Sequence, residues 1–331
     1  MTDLSPLKTA VEPFLPPRGL RNPHVQNIVS SVGLRKWLVK QRTQSLLSQS
    51  QEIILQGPDS ARLQGFYLPQ KNTDSLVILL HGWEGSSDSA YILSATQALF
   101  DQGHAIFRLN FRDHGDSHHL NQELFNSTRL SDITGALTDL QQQLPHTHYS
   151  LAGFSLGGNF ALRTTMAQTN NAYRIDRAVA VCPVICPSDT MEALSKGFYE
   201  RYFVKKWKQS LLKKTTHFPE YTYQNQLKLV KTLKDMNEFF IPGYTPYSDT
   251  SSYFDAYHLR ENRLKELPVP TTIITSEDDP IVRVKMLPRQ PLTDNLSLEV
   301  TRYGSHCAFL KNFKMQSWID DRLVDLFSRT R

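Results

Sequence analysis

The chain has 331 residues, 40% of them hydrophobic and 10% aromatic, with a formal charge of +5 and a pI near 9.0. That length and apolar content can bury a large core, as one domain or as a domain with an insertion, and they exclude disorder as the default state. The charge is too diffuse to indicate nucleic acid, the longest aliphatic run (Leu76 to Leu80) is far short of the ~20 residues of a membrane span, and the three cysteines (Cys182, Cys186, Cys307) are too few and too poorly spaced for a disulfide framework or a zinc site.

Residues 1–6 lack a basic segment followed by an apolar stretch, so no secretory leader is expected and the cytoplasm is the default location. A proline-rich lead-in, Pro16-Pro17-Arg18-Gly19-Leu20-Arg21-Asn22-Pro23-His24, precedes a predicted helix containing Val25, Ile28, Val29, Leu34 and Trp37, and residues 1–50 are expected to wrap the core as an arm. Strand-like runs then follow at 51–56, 61–68, 76–80, 105–111, 148–154, 178–184, 271–275 and 296–303. Helical periodicity lies between or after them at 89–100, 130–144, 159–168 and 313–327. Alternation of this kind predicts an α/β fold with a mostly parallel, eight-stranded sheet flanked by helices, residues 51–189 and 266–331 forming its core. The runs 76–80 and 178–182 are continuously apolar, as strands covered on both faces are.

Over residues 190–265 the alternation stops and a helical, aromatic-rich cap insertion is expected. Met191, Leu194, Phe198, Tyr202 and Leu212 fall on one helical face, with Lys205, Lys206, Lys208, Lys213 and Lys214 largely elsewhere. The insertion has 13 Lys and Arg against 8 Asp and Glu, a difference equal to the charge of the whole chain. Either a solvated helix face or peripheral attraction to anionic membrane or lipid accounts for that excess.

The chemistry centres on Gly153-Phe154-Ser155-Leu156-Gly157-Gly158, a serine between glycines where a strand-like run meets a helix-like one. Such a turn requires a strained residue flanked by nearly side-chain-free neighbours, the pattern of a nucleophile elbow. A serine hydroxyl also needs a base and an orienting acid. Downstream, Ser276-Glu277-Asp278-Asp279-Pro280 follows one late strand and Gly304-Ser305-His306 follows the last, so His306 is the candidate base and Asp279 the candidate acid, with Asp278 the alternative. The backbone amides of Leu156 and of Trp83, in His81-Gly82-Trp83-Glu84-Gly85, are the candidate oxyanion donors. A second group, Asp113, His114, Asp116, His118 and His119, could hold a metal, but a loop shaping the pocket, with Arg112 and the aspartates in local ion pairs, is the better account. No metal and no cofactor are expected.

Taken together, these motifs and the segments Gly19-Leu20-Arg21-Asn22-Pro23-His24-Val25-Gln26, Ser86, Tyr91, Asn110-Phe111-Arg112, Asn159 and Tyr253-Phe254 resemble the YheT-like branch of the α/β-hydrolases, over most of the chain. The branch includes eukaryotic α/β-hydrolase-domain proteins related to plant embryogenesis-associated proteins. The loop Asp113-His114-Gly115-Asp116 departs from that branch's usual pattern, and Gly304-Ser305-His306 departs from it while keeping the histidine. The resemblance implies a serine hydrolase of carboxylic esters with Ser155, one of the paired aspartates and His306 as its triad. A small-molecule ester of apolar acyl or aryl character is the expected ligand, with Phe154, Phe203, Trp207 and Tyr253 as candidate substrate contacts. A thioesterase or amidase on the same triad, or a non-catalytic binding protein on this fold, are the alternatives.

Overall fold

The computed structural model describes residues 14–31, 33–287 and 293–328; the leader reading on residues 1–6 lies outside them. Eight strands form one sheet: β1 (Gln51–Gln56), β2 (Arg62–Leu68), β3 (Ser75–Leu80), β4 (Ala105–Leu109), β5 (His148–Phe154), β6 (Arg177–Val181), β7 (Thr271–Ser276) and β8 (Leu296–Thr301), in the order β1-β2-β4-β3-β5-β6-β7-β8. The β1/β2 and β2/β4 pairs are antiparallel and the rest parallel.

The period-two rule explains why β3 reads as an unbroken apolar run. Leu76, Ile78 and Leu80 pack into one buried cluster and Val77 and Leu79 into the opposite one, so each face has its own core. On the first face lie α4 (Leu130–Gln143) and α5 (Leu156–Ala167); on the second lie α3 (Ala90–Asp101) and the last helix, Trp318–Ser328. Two helices precede the sheet, α1 (Pro23–Ser31) and α2 (Leu34–Leu47), where the sequence predicted one. Gly33 at φ 63° separates them. Of the apolar residues placed in the predicted helix, Val25, Ile28, Leu34 and Trp37 are exposed, and Leu20, Gln26, Arg35, Val39 and Leu46 turn inward.

Between β6 and β7 stand α6 (Pro187–Leu194), α7 (Gly197–His217), α8 (Gln224–Leu229), α9 (Leu233–Tyr244), α10 (Thr250–Tyr257) and α11 (Glu261–Leu264), with Trp318–Ser328 becoming α12. The expected face of α7 is corrected here. Phe198, Tyr202 and Leu212 are exposed, whereas Lys214 is fully buried against Asp113 at 2.6 Å. A break at Ser195 and Lys196 separates α6 from α7 and resets the helical phase. Several boundaries also differ. β6 stops at Val181 because Cys182 turns to φ 45°, and α12 starts five residues late because Leu310 and Ser317 bridge across a short turn. Among the described residues no helix is long and apolar enough to cross a membrane.

Candidate active site

Parallel strands β5 to β8 end at one edge of the sheet, and each of the three candidate side chains, Ser155, Asp279 and His306, follows one of them. Ser155 sits between β5 and α5 at φ 56° and ψ −117°, a conformation costly for a residue with a Cβ. The turn closes because Gly157 has no side chain: a Cβ there would lie 2.4 Å from the His81 carbonyl oxygen and 2.5 Å from that of Leu80. Ser155 is held by its N–H on the Val181 carbonyl (2.9 Å) and by its own carbonyl under the Asn159 N–H (3.1 Å).

His306 must reach back from beyond β8 to β5, roughly 14 Å across three strand spacings. The loop curls back through left-handed turns at Ser305 (φ 52°) and Cys307 (φ 59°), with Gly304 at φ 155°. Phe309 fills the turn so closely that a Cβ on Gly304 would come 2.4 Å from its ring. His306 Nε2 consequently lies 2.9 Å from Ser155 Oγ, and Nδ1 lies 2.8 Å from Asp279 Oδ2. With Asp279 accepting from Nδ1–H, Nε2 is free to accept the serine proton. The other Asp279 oxygen accepts from the N–H groups of Ile281 (2.8 Å) and Val282 (2.9 Å), which locks the carboxylate. Asp278 instead accepts from the Ser305 N–H at 2.8 Å and braces the histidine loop. Burial opposes charge on His306, but the Asp279 carboxylate and its hydrogen bond outweigh burial, so the imidazole is shifted upward.

The loop after β3 lies against Ser155, since a Cβ on Gly82 would be 3.2 Å from Ser155 Cβ. His81 donates from Nδ1 to the Gly82 carbonyl (2.7 Å) and accepts the Phe111 N–H at Nε2 (3.2 Å), and burial holds it neutral. The Gly82 N–H donates to the Tyr91 hydroxyl at 2.9 Å. Among the described residues the Trp83 and Leu156 N–H groups have no protein acceptor, which leaves both available to a ligand oxygen. Tyr91 is the support that motif reasoning did not assign; its ring also packs on Phe154 at 4.9 Å between centroids.

A cavity of about 550 Å³ opens over Ser155 and His306. Phe154, Phe203, Trp207 and Tyr253 all reach its wall, and Tyr253 is fixed by accepting the Ser127 N–H at 2.9 Å. Trp83 is clamped between two of them, stacked on Phe203 and edge-on to Trp207, both at 5.1 Å.

Four residues of the second histidine group are engaged with protein, and His119 is exposed. Asp113 pairs with Lys214, Asp116 with Lys213 at 2.8 Å, His114 accepts the Glu84 N–H at 3.2 Å, and His118 meets Ser210 at 3.0 Å. Arg112 pairs with Asp132 and Glu123, both at 2.8 Å, rather than with its neighbouring aspartates, because its guanidinium turns under α4. The set with metal-ligand spacing among the described residues is a different one, Cys182, His306 and Cys307, with ligand atoms within 4.8 Å of one another. Sequence spacing could not show it, since Cys182 and the adjacent pair His306 and Cys307 come from two loops more than 120 residues apart. Burial pushes the Cys182 thiol well above its ordinary range, which opposes the deprotonation a metal would require.

An eight-stranded, mostly parallel sheet with a strained serine on the β5–α5 turn, and an aspartate and a histidine after β7 and β8, defines the architecture of an α/β hydrolase. The alpha/beta hydrolase fold family is matched over residues 75–313, and the chain belongs to that family. Within it the chain is YheT-like: it is 24% identical over 332 residues to YheT of Escherichia coli (strain K12), a candidate esterase by name, covering 98% of this chain and 95% of YheT. It is 22% identical over 289 residues to medium-chain fatty acid ethyl ester synthase/esterase 2 of Saccharomyces cerevisiae (strain ATCC 204508 / S288c), covering 77% of this chain and 62% of that protein. Among solved structures, the Pyrococcus furiosus esterase Pf2001 superposes with a TM-score of 0.60 at 18% identity, covering 87% of this chain and 95% of that one, a likeness of fold.

Proposed function

We propose that the protein hydrolyses carboxylic esters through an acyl-enzyme on Ser155. The observation that carries this reading is the unbroken chain Ser155 Oγ, His306 Nε2, His306 Nδ1, Asp279 Oδ2, with links of 2.9 and 2.8 Å, at the floor of a largely apolar cavity. His306 takes the hydroxyl proton as Ser155 Oγ bonds to the ester carbonyl carbon, and returns it to the leaving alkoxide as the tetrahedral intermediate collapses. Water then attacks the acyl-enzyme, again giving its proton to His306, and releases the acid. The Trp83 and Leu156 amides hold the developing oxyanion, a contribution of about 3–4 kcal/mol per donor in other enzymes. The esterase names among the relatives support the class of substrate, and the aromatic lining supports an apolar acyl or aryl group.

Hydrolysis of p-nitrophenyl esters from acetate to palmitate by the wild type and by Ser155→Ala tests this. Turnover that disappears in the variant, with a fluorophosphonate label on Ser155 of the wild type, is the expected result. A labelled serine without ester turnover moves the substrate to a thioester or amide; an unlabelled serine in folded protein removes the catalytic reading.

A further inference from the structure

Two charged side chains in the cavity have no part in the reaction as written. Glu84 follows Trp83 directly, and Lys206 lies on the stripe of α7 that faces the cavity, between Phe203 and Trp207. Trp83 is held against both of those rings, which sets Glu84 and Lys206 in the wall of the same cavity. They influence each other electrostatically yet form no ion pair within 4.0 Å, and no hydrogen bond joins either head group to another side chain among the described residues. Glu84 is also held in the left-handed region at φ 55°, a strained conformation for a residue with a side chain.

Of the other charged residues lining the cavity, Asp88 pairs with Arg108 and Lys213 with Asp116, and Lys36 lies on α2 rather than on α7 or the loop after β3. Asp113 is bound by Lys214, and His114 is kept neutral by burial with its Nε2 occupied by the Glu84 N–H. The groups of α7 that act on Glu84 are Lys206 and the neutral hydroxyl of Tyr202, both in the cavity wall.

The geometry points to an anion subsite: the ester substrate has a carboxylate, on its acyl or its alcohol portion, that Lys206 pairs with and to which the Glu84 carboxyl donates. This deepens the esterase reading and rests on it. Burial holds Glu84 up at about 8, so at neutral pH it retains its proton and can donate. Lys206 is then left without a charged partner on α7 or the loop after β3, in a wall that is largely apolar. Above that pH Glu84 becomes an anion, competes for Lys206 and repels the substrate, so the preference for a carboxylate declines as pH rises through about 8.

The test compares matched pairs of esters, p-nitrophenyl monoesters of six- to ten-carbon dicarboxylic acids against p-nitrophenyl alkanoates, and alkanoates of ω-hydroxy acids against those of plain alcohols. A charge-assisted hydrogen bond of about 1.5–3 kcal/mol predicts that one series favours the carboxylate at least about tenfold in kcat/KM. Lys206→Gln should collapse that ratio through KM, Lys206→Arg should retain it, and Glu84→Gln should retain it while abolishing its decline above pH 8. Neutral esters preferred in both series, or a ratio unaltered by Lys206→Gln, overturns the subsite. If no ester is turned over, the esterase reading falls separately, and calorimetric binding of monomethyl suberate to the wild type and to Lys206→Gln decides the subsite alone: weaker binding in the variant supports it, and equal binding overturns it.

Discussion

At the scale of the residue, the paired aspartates show how neighbouring identical groups divide their work. Asp279 has one oxygen on His306 and the other under two backbone N–H groups, while Asp278 fastens the loop that holds His306. The expected consequence is specific to Asp279. A base must be neutral to accept the serine proton, so activity rises with pH through the His306 pKa, which Asp279 shifts upward. Asp279→Asn removes that charge, so the acidic limb of kcat/KM should move to lower pH, while kcat falls by roughly 10⁴-fold as the tautomer is lost. Asp278→Asn keeps an acceptor for Ser305 and should leave the limb in place. A pH–rate profile of both variants checks the assignment, and equal displacement in the two would argue against it.

Elements position these residues through contacts between helix α7 and the sheet loops. The Asp113–Lys214 pair is buried on both sides, with Lys214 also donating to the Asn121 carbonyl and Asp113 accepting from the Phe125 N–H at 2.9 Å. Burial pushes Lys214 down and Asp113 up, the two being held charged by each other. Removal of one partner strands the other, and Lys214→Met should lower stability by about 3–5 kcal/mol in denaturant unfolding. The double change Lys214→Met with Asp113→Asn should cost less than Lys214→Met alone. The same helix shapes the cavity through Phe203 and Trp207. Phe203→Ala removes the ring stacked on Trp83, and the chain-length optimum across an ester series should shift toward longer acyl groups. An unchanged optimum would place the acyl group elsewhere in the cavity.

At the scale of the molecule, the segment before the sheet is tied to the histidine loop. Gln26 is fully buried, donating to the Leu20 carbonyl at 2.6 Å and accepting the Leu310 N–H at 2.9 Å, and Ser305 Oγ donates to the Pro23 carbonyl at 2.6 Å. Helix α1 also meets the helices above the site, with the His24 ring 3.0 Å and the Asn27 amide 3.2 Å from the Tyr199 hydroxyl. Gln26→Ala leaves buried backbone groups unmatched, and a loss of about 1–3 kcal/mol in unfolding free energy is expected. A loss confined to stability, with kcat unchanged in folded protein, would show that His306 is placed by Gly304 and Phe309 without the arm.

Much of this protein was legible in its sequence because the relevant signals are local. The alternation of buried strands and amphipathic helices located the sheet strands to within a few residues, and the order Ser155, Asp279, His306 followed from strand-end turns whose residue types are set by backbone sterics. Other features depend on pairs far apart in the chain. Which aspartate faces His306 was decided by the curl at Gly304 to Cys307, and the inward side of α7 by a helix break whose phase shift periodicity does not reveal. The partner of Lys214, the brace from Gln26 and the sharing of one cavity wall by Glu84 and Lys206 each join segments roughly 100 residues or more apart, so they exist only once the chain has closed. Local sterics and hydrophobic period determine which elements form; tertiary packing alone decides which side chains meet.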